Sequence, residues 1–250
     1  MFKIAALLFA AGSLATSARA AEIKVVAIQS AQIVMRDLAG VVEHRTGHKV
    51  IQLARTTELP AAIKVRIDAG ENFDAACLTT SVIDQLIKEG RLVADTRRNF
   101  LRVPIGVAVM SGAPKPDISS VEAFKRAILN AKSIAYLNGG SSGPYLEALF
   151  NRLGIGPELQ RKTKRPDTDV VGDLVARGDA EIGITAISTL EATKGVDVLG
   201  PIPSEIQSPV LVACAVGTTA AMPGAARELI KLLTGPRAIP ILKSRGMEPW

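Results

Sequence analysis

Residues Leu101–Met110 read Leu-Arg-Val-Pro-Ile-Gly-Val-Ala-Val-Met, a nearly continuous apolar run. Such a run predicts a long buried strand, and Gly112, Pro114 and Pro116 break it. A second long apolar strand is expected at Val210–Val216, after a stretch punctuated by Pro201, Pro203 and Pro209. Two long strands bracketing an internal unit predict one lobe inserted into another. Residues 22–104 and 210–250 then form the first lobe, and residues 105–209 the second. Strands crossing between lobes in a pair can act as a hinge by absorbing small dihedral changes. The competing arrangement is a single sheet of about ten strands, large for a chain of this length.

Outward from these strands, strands and helices alternate, which predicts an α/β fold with a mostly parallel, helix-flanked sheet in each lobe. Val34, Leu38, Val41 and Val42 share one face of a helix expected over 33–45, with Gly47 beyond its end. Leu59, Ile63 and Ile67 mark a second helix over 58–69, with Pro60 in the first turn, where proline is tolerated. Strand Phe73–Leu78 leads to a helix with Val82, Ile83, Leu86 and Ile87, stopped by Gly90. The second lobe repeats the wind: helix Val121–Leu129, strand Ile134–Leu137 and helix Pro144–Leu153. A short helix near Val170–Arg177, strand Glu181–Ala186, a helical turn at Ile187–Thr193 and strand Val196–Leu199 follow. Helices near Pro223–Thr234 and Pro236–Arg245 close the chain.

The first twenty residues read as an export signal. Lys3 supplies the charge, Ile4–Leu14 the apolar stretch, and Ala18-Arg19-Ala20 the small-residue cleavage pattern. That stretch is too short to span a bilayer. Cleavage after Ala20 removes Lys3 and Arg19 and lowers the formal net charge from +6 to +4, an excess that steers anions or simply serves solubility. Aromatic residues make up only 4% of the chain, which argues against a stacking platform for sugars or nucleic acid. No basic run suggests a nucleic-acid partner, no ligand spacing suggests a metal, and no cofactor fingerprint is present. A monomer is expected. Cys77 and Cys214 read as two buried thiols on neighbouring strands, although an exported chain could oxidise them.

Three times an apolar strand runs into a short Ser-, Thr- or Gly-bearing loop and a helix start. The loops are Gln29-Ser30-Ala31-Gln32, Arg55-Thr56-Thr57 and Asn138-Gly139-Gly140-Ser141-Ser142-Gly143. Each offers hydroxyls and unpaired N–H groups at the positive end of a helix, chemistry suited to a small anion. Glycine in the third loop lets a ligand approach the backbone closely. The same residues also serve as ordinary helix caps. Tyr145 reads as core, and Asp167, Thr168 and Asp169 as caps of the helix that follows.

The order of elements, with Gly47-His48-Lys49-Val50 before the second strand and Ala69-Gly70 ahead of Phe73-Asp74, resembles the periplasmic molybdate-binding proteins of ABC importers. These belong to the type II periplasmic binding proteins. Asn138–Tyr145 resembles the family's glycine-containing loop, and Asp179-Ala180-Glu181-Ile182-Gly183-Ile184 its late strand. The resemblance implies two lobes closing on a small oxyanion that is handed to an importer permease in the periplasm. Ser30 matches the family's first-loop serine, Thr56 or Thr57 the second, and Ser142 or Gly143 the amide donor before the third helix. A residue near Thr168–Val171 matches a fourth contact. The family's oxyanion-binding Tyr has no counterpart, since Ala186 or Thr185 stands in its place. Arg55 is a charge that such dipole cages usually lack, and a guanidinium suits a planar carboxylate. A small organic carboxylate is therefore expected beside molybdate as a ligand.

Two rivals remain. Gly139–Gly143 matches the G-x-S-x-G elbow of secreted serine hydrolases, but both histidines, His44 and His48, precede the serine. A ligand sensor docking on a receptor would look like a transport protein in sequence. The expectation is a non-enzymatic binding protein.

Overall fold

The computed structural model describes residues 22–140 and 142–250; the expected export segment and Ser141 lie outside the described residues. Strand β1 (Glu22–Ala27) alternates exposed Glu22 and Lys24 with buried Ile23 and Val25 before sinking fully at Val26 and Ala27. The single helix expected over 33–45 is two: α1 (Gln29–Asp37) and α2 (Ala39–Thr46) meet at Leu38. Gly40, in the first turn of α2, weakens helical continuity there. Gly47 ends α2 in the left-handed conformation, φ 69°, which glycine adopts without steric cost.

There follow β2 (Lys49–Gln52), α3 (Pro60–Asp68), β3 (Ala75–Thr79), α4 (Thr80–Lys88), β4 (Arg98–Val103) and β5 (Ile105–Met110). Next come α5 (Val121–Asn130), β6 (Ile134–Ala135), α6 (Gly143–Arg152), α7 (Gly156–Gln160), β7 (Thr163–Lys164) and α8 (Val171–Ala176). The chain ends with β8 (Ile182–Ala186), α9 (Ile187–Ala192), β9 (Val196–Pro201), β10 (Val210–Val216), α10 (Pro223–Leu233), α11 (Ile239–Ser244) and β11 (Glu248–Pro249). Elements α7, β7 and β11 are too short to leave a period in the sequence.

One sheet has the order β11-β4-β10-β3-β1-β2 and the other β7-β6-β8-β5-β9. The sheets are mixed rather than mostly parallel. Parallel pairing joins β1 to β2 and β3, and β6 to β7 and β8. Strands β4, β5 and β10 pair antiparallel with their neighbours. A parallel pair needs a helical crossover, which the strand–helix winds supply. The long strands instead pass between sheets through extended connections and run the opposite way.

β4 becomes β5 across Pro104 alone, whose missing N–H interrupts the ladder and whose carbonyl accepts from Ile187 N at 2.9 Å. The return from β9 to β10 uses residues 202–209. There Gln207 clamps the first crossing: Ile105 N donates to its Oε1 (2.9 Å) and its Nε2 donates to Ile105 O (3.0 Å). Each sheet has its own apolar core, one including Val26, Ile63, Leu78, Leu101 and Val212, the other Phe124, Leu149, Phe150 and Ile184. Each fully buried aliphatic side chain contributes about 1.5–3 kcal/mol. Ile187 of α9 packs into the first core, and Leu59, from the loop before α3, packs beside Leu137 and Val171 of the second sheet's side.

The two cysteines are not free thiols. Cys77 and Cys214 face each other in the β3–β10 register and form a disulfide, with Cα atoms 4.1 Å apart. The bond links positions 137 residues apart; the antiparallel return of β10, invisible to local reading, brings them together.

Candidate functional site

Four chain segments meet at a cavity of about 40 Å³ between the two sheets. The first is the start of α1, where Ile28, not Ser30, is the N-cap and has no capping side chain. Ser30, the second residue of α1, is buried and lines the cavity. Gln32 braces this corner: its Nε2 donates to Ala27 O at 2.7 Å and reaches Ala54 O at 3.3 Å. It thereby ties the end of β1 to the loop after β2.

That second loop carries Arg55, Thr56 and Thr57. Thr56 lines the cavity. Arg55 is exposed and does not line it; its N–H donates to Glu58 Oε2 at 3.0 Å. Glu58 is neutralised by Arg66, whose Nη1 donates to the same oxygen at 2.7 Å. Thr57 also lies off the cavity. Its carbonyl accepts from Asp169 N at 3.2 Å, joining the loops of the two sheets.

The third segment precedes α6. Ser142 is its N-cap, is buried and lines the cavity. Gly143 packs against the loop after β6 instead, where a Cβ would stand 2.4 Å from Leu137 O. No other residue tolerates that approach. Gly140, at φ 71°, lines an adjoining cavity of about 370 Å³ that shares Pro60 and Val210 with the first.

The fourth side is formed by the end of β8, α9 and the loop before α8. Ala186 lines the cavity at the end of β8, but Thr168 does not. Its neighbour Asp169 does, with Thr185 and Thr189. The expectation that Asp167, Thr168 and Asp169 cap α8 fails: Val170 is the N-cap and no side chain caps it. Asp169 turns its carboxyl inward instead. Thr189 Oγ1 sits 3.2 Å from Asp169 Oδ2 and 3.3 Å from Gln29 Oε1.

Asp169 is half-buried as a residue, but Oδ1 is shielded from solvent and unpartnered among the described residues, as are Thr185 Oγ1 and Ser188 Oγ. Burial pushes the Asp169 carboxyl up to about 6, against the lowering influence of the Thr189 and Thr185 hydroxyls; Asp173 adds a smaller upward push. A lone Asp between two polar residues carries no sequence signal for this role, because capping uses the same residue types. Neither His44 nor His48 lines the cavity.

A model of bacterial extracellular solute-binding proteins matches residues 23–248. The chain belongs to that family. This solute-binding protein is 34% identical over 218 residues to the aconitate isomerase of a Pseudomonas species, across 86% of this chain and 83% of that one. It is 29% identical over 252 residues to the molybdate-binding protein ModA of Azotobacter vinelandii, across 94% and 93% of the two chains. Its fold is also that of the solved A. vinelandii periplasmic molybdate-binding protein, with a TM-score of 0.74 and 19% identity, covering 90% and 98%. The two mixed, helix-flanked sheets thus share the fold of that periplasmic binding protein, and by family the chain is an extracellular solute-binding protein.

Proposed function

We propose that this solute-binding protein captures a small anion in the cavity between its sheets and delivers it to an importer permease. One observation carries the reading: the starts of α1, α3 and α6 converge on a single cavity with the hydroxyls of Ser30, Thr56 and Ser142. First-turn N–H groups lack intrahelical acceptors and sit at the positive end of each dipole. Pro60 heads α3 without an N–H, so that helix contributes chiefly field and shape. Since one water needs about 10–15 Å³ on this measure, the cavity suits a group of a few heavy atoms. A tetrahedral oxyanion or the carboxylate end of a short organic acid fits that description. The larger cavity beside Gly140 would receive the rest of a longer acid.

In this reading, residues 22–104 with 210–250 and residues 105–209 are two lobes hinged at Pro104 and at 202–209. The guest draws them together by its higher affinity for the closed form. Export with cleavage after Ala20 accords with the buried disulfide, and N-terminal sequencing of the secreted chain tests it. The decisive experiment is a thermal-shift panel of molybdate, tungstate, sulfate, phosphate and di- and tricarboxylates. A ligand at a hundred times its Kd adds about 2.7 kcal/mol; stabilisation by none of them overturns the reading.

The Asp169 carboxyl supports a second reading. An acid–base group poised near 6 inside a cleft is suited to moving a proton, and the Pseudomonas relative is an aconitate isomerase. In that reading Asp169 takes a proton from one carbon of an unsaturated carboxylate and returns it to another, with no net redox change. Proton NMR of trans-aconitate incubated with the protein tests it: interconversion with the cis isomer, abolished in Asp169→Asn, establishes it, and an unchanged spectrum removes it. Ester turnover tests the hydrolase rival in the same way.

A further inference from the structure

We propose that the cavity takes its anion together with one proton, held between the guest and Oδ1 of Asp169. This deepens the anion-capture reading and rests on it. It narrows the ligand class to oxyanions and short organic acids that bind with a proton on the group facing Asp169.

Among the described residues lining the cavity there is no Lys, Arg or His. An ionised carboxylate there would repel the guest that the helix starts attract. A single proton converts that repulsion into an O–H···O hydrogen bond between two oxygens, one of the stronger kinds of hydrogen bond. The site has a vacant acceptor for it, since Asp169 Oδ1 is shielded and unpartnered among the described residues.

No neighbouring group performs the neutralisation instead. From α9, Thr189 has one hydroxyl proton for two acceptors, Asp169 Oδ2 and Gln29 Oε1. Ser188 of α9 and Thr185 of β8 are neutral; the Thr185 hydroxyl lies close enough to favour the ionised carboxyl but makes no hydrogen bond of ordinary geometry with it. From the loop after β2, Glu58 is negative and held by Arg66, while Arg55 lies exposed off the cavity. Asp173 of α8 adds like charge, and Asp167 is engaged by Asn138 Nδ2 at 2.8 Å. The α1 and α6 walls offer Ser30 and Ser142, also neutral. Burial has already raised the carboxyl to about 6, so the proton is within easy reach near neutral pH.

The test is calorimetry of the whole secreted chain with sulfate, molybdate and tricarballylate, each titrated in two buffers of different ionisation enthalpy. Expected is uptake of about one proton per anion bound at pH 7.5 and about a tenth of a proton at pH 5, because the carboxyl is then already protonated. Affinity should fall about tenfold per pH unit above pH 7. Asp169→Asn should abolish the uptake and flatten the profile. Infrared difference spectra of the wild-type chain with sulfate, which has no carboxyl of its own, should gain a protonated-carboxyl band; this keeps the test decisive if the variant fails to fold. Binding at pH 7.5 without proton uptake overturns this inference and leaves anion capture standing, and uptake persisting in Asp169→Asn overturns the assignment to that residue. If neither these three nor any other anion of the thermal-shift panel binds, the capture reading fails and takes this inference with it; a panel anion that does bind replaces them in the same titrations.

Discussion

The two walls of the cavity are built on opposite principles. On the wall carried by β1 and β2, two polar side chains are tied off, Gln32 closing the corner between two loops and Glu58 held by Arg66, while Gln52 Oε1 behind them on β2 is buried without a partner among the described residues. On the wall carried by β8, α9 and the loop before α8, Asp169 Oδ1, Thr185 Oγ1 and Ser188 Oγ are buried without partners among the described residues. Buried polar atoms are normally satisfied, and departures from local consistency concentrate at functional sites. The first wall is a preformed frame. The second leaves buried polar atoms unsatisfied, which in the anion-capture reading a guest would relieve.

That contrast breaks first if the frame does not depend on its cross-link. Replacing Cys77 and Cys214 by Ala should cost about 4 kcal/mol, since the bond closes a long loop in the unfolded chain, while the affinity of the folded protein for its anion stays unchanged. Denaturant unfolding with calorimetry checks both halves.

The second wall should show the opposite sign. The folded carboxyl of Asp169 stands near 6 against 3.8 for the free group. The native state therefore holds this proton more tightly, and the ionised form costs stability in full above pH about 6 and nothing below pH about 3.8. Asp169→Asn should stabilise the protein by about 3 kcal/mol at pH 7.5, with the gain vanishing towards pH 4. Thermal melts across that range test it, and a constant or negative effect would mean that the second wall stores no strain.

Smaller effects sharpen the assignment of donors. Ser30→Ala and Ser142→Ala should each weaken anion binding by about 1.5–3 kcal/mol, the worth of one hydrogen bond to a charged group. Thr57→Ala, whose contact to Asp169 runs through the backbone, should change affinity less than Thr56→Ala. Smallest is Arg55→Ala, expected to shift affinity by less than about 0.5 kcal/mol because its charge is exposed and screened. A large loss of carboxylate affinity would instead bring the guanidinium into the closed site.

Much of the fold was legible because its signals are local. The Leu59–Ile63–Ile67 spacing, the stop at Gly90 and the apolar runs at 101–110 and 210–216 are consequences of periodicity and backbone preference. The three helix starts were legible for the same reason. The break at Leu38 was not, because no proline marks it and the apolar face continues through it. Strand direction was misjudged where it depends on how the chain crosses between sheets. Of the expected site residues, Ser30, Thr56, Ser142 and Ala186 share the cavity, while Arg55, Thr57, Gly143 and Thr168 lie off it. Neighbours one residue apart in a loop point different ways, and only packing chooses between them.

By itself the sequence determined that this chain alternates strands and helices, carries long apolar runs at 101–110 and 210–216, and presents helix starts rich in hydroxyls. These depend on nearest neighbours along the backbone. Only the tertiary structure decided that Cys77 meets Cys214, and that Asp169 leaves its helix uncapped to enter the cavity. Both follow from the register and closure of segments far apart in the chain, where burial and partner geometry, not residue type, set what a side chain does.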